Sequence, residues 1–101
     1  MYISRLSFYT RPGHTEEVAQ RLQQLAQMIG GSGGRQARVL RMSFGSLGSP
    51  DLQFEQEIES LGDLERGMEG VTSKEEFQRW SAGMSDLLLQ TPKREILTVE
   101  E

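Results

Sequence analysis

Leu52-Gln53-Phe54-Glu55-Gln56-Glu57-Ile58-Glu59 alternates without a break. Side chains of a strand point to opposite faces in turn. Leu52, Phe54 and Ile58, with Gln56 among them, therefore share one face, and Gln53, Glu55, Glu57 and Glu59 share the other. The stretch predicts a strand in a sheet covered on one side only. Before it, Gly45 to Asp51 contains the turn formers Ser46, Gly48, Ser49 and Pro50, and Ala37 to Phe44 reads as the preceding strand. Upstream again, Val18, Leu22, Leu25 and Ile29 recur at helical spacing behind Glu16 and Glu17, two acids where the helix dipole favours them. Gly30 and Gly31 stop that helix, and Gly30-Gly31-Ser32-Gly33-Gly34 forms a flexible connector. The first strand, Tyr2 to Tyr9, ends in Arg11-Pro12-Gly13.

Toward the C-terminus, Leu61, Leu64 and Met68 predict a short helical turn that Gly67 and Gly70 keep from growing. Ser73-Lys74-Glu75-Glu76 reads as a capping box. It opens a second main helix with Phe77, Trp80, Met84, Leu87 and Leu88 on one face, broken by Thr91-Pro92. Glu95 to Val99 closes the sheet. The resulting order, βαββαβ, is that of an α+β, ferredoxin-like sandwich: a four-stranded antiparallel sheet with two main helices on one face. At 101 residues, positions 1–101 make a single domain.

A net charge of −4 argues against a general phosphate binder, since such affinity comes from clustered Lys and Arg, and no nucleic-acid partner is expected. Arg35, Arg38 and Arg41 lie close together, but the glutamates of the next strand can neutralise them. An RNA-binding sheet would need exposed aromatics in a basic motif on the central strands, where glutamates stand instead. No stretch approaches the length of a membrane span, and Met1 to Phe8 lacks the layout of a signal peptide, so no membrane is expected. The chain has no cysteine, which fits a reducing compartment, and the cytoplasm is the expected location.

A sheet with helices on one side should be apolar on one face and wet on the other, yet the first two strands are mixed on both. In one parity Leu6, Phe8, Leu40, Met42 and Phe44 meet the helices; in the other Ile3, Tyr9 and Val39 remain, among Arg5, Ser7 and Arg41. With the first and third strands side by side at the centre, Arg5 and Arg41 flank Glu55 and Glu57 on this second face. Paired charges tolerate cover where lone ones do not. The expectation is a homodimer joined sheet to sheet through Ile3, Arg5, Tyr9, Val39, Arg41, Glu55, Glu57, Leu97 and Val99. The alternative is a solvated face carrying surface salt bridges.

Arg11-Pro12-Gly13-His14-Thr15-Glu16-Glu17-Val18 after a first strand resembles the Pro-Gly and acidic helix start of the dimeric α/β-barrel superfamily. Gln53 through Ser60, followed by Leu61-Gly62-Asp63-Leu64, looks like that group's third strand and short helix, and Trp80 and Arg94 through Val99 also fit. The group includes antibiotic-biosynthesis monooxygenase-like and NIPSNAP-like proteins, and the likeness covers nearly the whole chain. It implies a pocket between sheet and helices for an aromatic or polyketide-like substrate, and haem in some members. Here its walls would be Phe8, Met42, Phe44, Phe54, Trp80 and Met84. Haem-degrading members are marked by an asparagine together with histidine and tryptophan, and this chain contains no asparagine.

No catalytic residue stands out. His14 is the only imidazole, and its place at a helix start suits capping or solvent better than catalysis. No metal is expected, because Glu55, Glu57 and Glu59 face arginines, and Ser43, Ser46 and Ser49 lack a nucleophile elbow. The glycine run follows a helix and precedes a strand, the reverse of a phosphate loop, so no nucleotide cofactor is expected. Two functions remain. One is a cofactor-free monooxygenase-, cyclase- or isomerase-like enzyme for a hydrophobic small molecule, with Ser4, Tyr9 and Arg41 as its polar groups. The other is a non-catalytic dimeric module that binds a ligand or another protein.

Overall fold

Residues 1–31 and 37–100 are described by a computed structural model; Arg35 and the Ser32-Gly33-Gly34 part of the connector lie outside them. The chain runs β1 (Tyr2–Phe8), α1 (Thr15–Gly31), β2 (Ala37–Arg41), β3 (Leu52–Ile58), α2 (Leu61–Thr72), α3 (Glu75–Met84), a 3-10 turn (Ser85–Leu87) and β4 (Lys93–Thr98). The sheet order is β2-β3-β1-β4, with every pair antiparallel. This is the expected ferredoxin-like arrangement, with β1 and β3 at the centre. Val18, Leu22, Leu25 and Ile29 of α1 are all buried, as their spacing requires, and pack with Phe8, Leu52 and Phe54.

Where the helices differ from expectation, tertiary burial is the cause. The segment after β3 is a full helix, α2, despite Gly62, Gly67 and Gly70. Each interior glycine costs a helix about 1 kcal/mol. Against this, Leu64 and Val71 are buried, and the Ser60 hydroxyl accepts the Asp63 N–H at 3.2 Å as an N-cap. The capping box does not form. Ser73 has helical backbone angles and closes α2, its N–H donating to the Glu69 carbonyl, and Lys74 begins α3 with no side-chain cap. An N-cap must sit outside the helical region, and Ser73 is committed to the preceding helix. The apolar face of α3 accordingly stops at Met84, while Leu87 and Leu88 reach the core from the 3-10 turn and the extended residue after it.

β2 presents the opposite parity to the expected one. Val39 pairs with Phe54 and Arg41 with Leu52, so Ala37, Val39 and Arg41 take the helix side and Arg38 and Leu40 the open side. The cause is the position of α1, which lies directly over β2 and leaves room for the buried Ala37 and the partly buried Val39. Arg41 reaches past that contact to Glu16 of α1, 2.6 Å away. β2 also ends at Arg41, earlier than expected. Met42 N–H bonds the Asp51 carbonyl at 3.0 Å, and residues 43–50 form the hairpin loop, where Gly48 adopts φ +88°. A side chain at Gly48 would be strained in that left-handed conformation.

β4 is exposed along its whole length. Among the described residues it pairs with β1 alone, and no helix packs closely on it. That asymmetry positions the cavity.

Candidate ligand cavity

α3 packs on α1 and α2 rather than on the sheet. Between it and the strands lies a cavity of about 550 Å³, within the range of small-molecule sites. Ser4, Leu6 and Phe8 of β1 and Phe54 and Gln56 of β3 form its floor. They share a face because Leu6 stands opposite Phe54 and Ser4 opposite Gln56 in the β1–β3 register. Leu25 and Ile29 of α1, Met68 and Val71 of α2, and Trp80 and Met84 of α3 wall it, and Arg94 of β4 stands at its edge. Trp80 is fixed rather than mobile: its indole N–H donates to the Arg21 carbonyl at 2.6 Å, and its ring stacks on Phe77 with centroids 5.6 Å apart.

Of the six proposed pocket residues, Phe8, Phe54, Trp80 and Met84 line this cavity. Met42 and Phe44 do not. They fall beyond the end of β2, where no helix covers them, and Phe44 is 97% exposed. Of the polar groups, Ser4 is at the cavity floor, whereas Arg41 is tied to Glu16 and Tyr9 lies across the sheet under the Lys93 ammonium, 5.4 Å from its ring centre. His14 precedes α1, its carbonyl accepting the Val18 N–H, with its ring exposed beside Glu17 and away from the cavity. The wall from α2, and the polar residues Gln56, Thr72 and Arg94, were not anticipated. One signal pointed to the floor: Gln56 interrupts the apolar side of β3, and its cross-strand neighbour is the polar Ser4.

The opposite face of the sheet is built on a row of alternating charge. Arg38, Glu55, Arg5 and Glu95 stand side by side across β2, β3, β1 and β4. Glu55 is only 4% exposed; Arg5 donates to it at 2.5 Å and Arg38 at 2.9 Å. Burial pushes the Glu55 carboxyl up, but the hydrogen bonds from Arg38 and Arg5 and their charges outweigh it and hold the group below its usual value. Arg38 thus takes the role expected of Arg41, because β2 has the opposite parity. Val39 leaves this face with Arg41, and Leu40 joins it. Ile3, Glu57 and Leu97 form the adjacent row, with Val99 following β4 at the same parity as Leu97. Among the described residues no three His, Cys, Asp or Glu side chains converge to hold a metal ion, and no helix is long and apolar enough to cross a membrane.

No protein-family model matches the sequence, and no curated protein does. Solved structures do match it. A NIPSNAP family protein from Agrobacterium tumefaciens superposes with a TM-score of 0.82 at 13% identity, over 99% of this chain and 93% of that one. A NIPSNAP-like domain protein from Burkholderia xenovorans gives 0.78 at 19% identity, over 98% and 84%. A putative antibiotic biosynthesis monooxygenase from Nitrosomonas europaea gives 0.71 at 14% identity, over 98% of both chains. At these identities the likeness is one of fold, and the fold is the one the sequence resemblance implied.

Proposed function

We propose that the chain is a binding domain for a hydrophobic small molecule and acts as a homodimer joined through the open face of its sheet. The cavity carries this reading: its floor and walls are apolar and aromatic, with a few hydroxyl and amide groups placed among them, the usual composition of a ligand site. Among the described lining residues there is no carboxylate, imidazole, thiol, phenol or amine. Ser4, Gln56 and Thr72 orient a ligand by hydrogen bonding but do not take up a proton at neutral pH. Binding is therefore favoured over a monooxygenase-, cyclase- or isomerase-like reaction, which on this cavity needs a substrate that ionises unaided. The dimer is supported by Ile3, Leu40, Leu97 and Val99 on the open face, and by the pairing of Glu55 with Arg5 and Arg38, which lets the centre of that face be covered without stranding this carboxylate.

The test uses Trp80, the only tryptophan, as reporter. Titration with neutral bicyclic aromatics should change its emission saturably, and light scattering at micromolar concentration should return the mass of two chains. Unchanged emission rejects the cavity as a ligand site, and a single-chain mass rejects the dimer. Gly67 supplies a sharper variant. A Cβ there meets nothing within 4 Å, and the residue lines the cavity from the middle of α2. Gly67→Leu should raise stability by about 0.5–1 kcal/mol through helix propensity while lowering probe affinity by filling the space. Calorimetry and the emission titration read the two effects separately, and affinity unchanged in a stabilised variant would place the probe elsewhere.

A further inference from the structure

Arginines 5, 21, 38, 41, 66 and 79 are each paired with a carboxylate. Among the described arginines Arg11 and Arg94 are not, and of these two Arg94 alone lines the cavity. Its guanidinium donates to the Met68 sulfur at 3.9 Å, a weak acceptor that leaves it with donors to spare. The β1–β4 register sets Arg94 opposite Leu6, on the helix side of the sheet, so its stem rises from the floor beside the apolar residues that would hold a ligand's body. An arginine at the edge of an apolar cavity, in a chain of net charge −4 whose other cavity-lining groups are neutral, is an isolated positive site. A guanidinium recognises a carboxylate through two parallel N–H donors, which fixes orientation as well as charge.

We propose that Arg94 is the anion-recognition residue of the cavity and that the ligand is an amphipathic carboxylate, an apolar ring system ending in one negative group. The inference rests on the cavity being a ligand site. The apolar body lies among Phe8, Phe54, Trp80 and Met84, and the carboxylate is held at the β4 edge, where water still reaches it and desolvation costs least.

Matched acid and amide pairs test this at pH 7: 2-naphthoate with 2-naphthamide, and 4-phenylbenzoate with its amide, titrated against the wild type, Arg94→Gln, Arg94→Lys and the off-cavity control Arg11→Gln. The wild type and Arg11→Gln should bind each acid roughly tenfold more tightly than its amide, the scale of a charge-assisted pair at a partly wet site. Arg94→Gln should bring that ratio to near one while amide affinity stays as it was, and Arg94→Lys should keep only part of the preference. Arg94 is exposed, so these variants are expected to keep the wild-type melting temperature. Equal binding of acid and amide by the wild type, or a preference that survives Arg94→Gln, overturns the assignment and leaves the cavity reading standing. Failure of both members of both pairs to bind the wild type overturns the cavity reading and this inference with it.

Discussion

Phe54→Ala should destabilise the fold by about 3 kcal/mol, whereas Phe44→Ala should stay within about 0.5 kcal/mol of wild type. The two phenylalanines were expected to share one pocket wall. Phe54 is buried on the central strand β3, and truncating it removes the part of the cavity floor beside Leu6 as well as its own transfer free energy. Because it adjoins an existing cavity, its neighbours can relax toward the space, which puts the cost at the low end of the range for Phe→Ala. Phe44 has no packing to lose. Denaturant titration of both variants checks this; similar losses would mean that the hairpin loop is packed against something in solution. Phe54→Ala should also abolish the Trp80 emission response, which Phe44→Ala should leave intact.

The second large effect concerns Glu55. Its carboxyl is held below the usual carboxylate range, so the unfolded chain takes up a proton at a higher pH than the folded one. The stability it contributes is therefore fully present above the unfolded value of about 4.3 and is lost as pH falls through the lower folded value. Glu55→Gln should cost about 2 kcal/mol at pH 7, through the loss of two charge-assisted hydrogen bonds. The figure is kept modest because Arg38 is 64% exposed and water screens its share. The gap between wild type and variant should begin to narrow as pH falls below the unfolded value and close only below the lower folded value, where the wild-type group is itself neutral. A gap that persists unchanged into acid would mean that packing of the side chain, not its charge, holds the centre of the open face.

The sequence alone was decisive wherever one local pattern admitted one solution. The strict alternation of residues 52–59 has a single register that buries Leu52, Phe54 and Ile58, and the spacing of Val18, Leu22, Leu25 and Ile29 allows a single helical face. From these and the turn chemistry between them came the element order, the antiparallel sheet and the centrality of β1 and β3. β2 was different. Its apolar residues fall on both parities, so its facing was set by the close approach of α1 over Ala37, a contact between segments that no residue count contains. The same holds for α2, whose glycines argue against a helix until Leu64 and Val71 find the core.

The cavity belongs wholly to the tertiary structure. Phe8, Phe54, Trp80 and Met84 read equally well as core filling, and only the lean of α3 onto α1 and α2, away from the sheet, leaves space between them. Arg94 looked like one more surface charge in a terminal strand. Its chemistry comes from having the cavity on one side and no ion pair among the described residues, and such a relation exists only once β4 pairs beside β1. Patterns that repeat along the chain specify elements, because burial rewards each repeat separately. Voids and unpaired charges are set by distances between elements, and those distances are made by the fold.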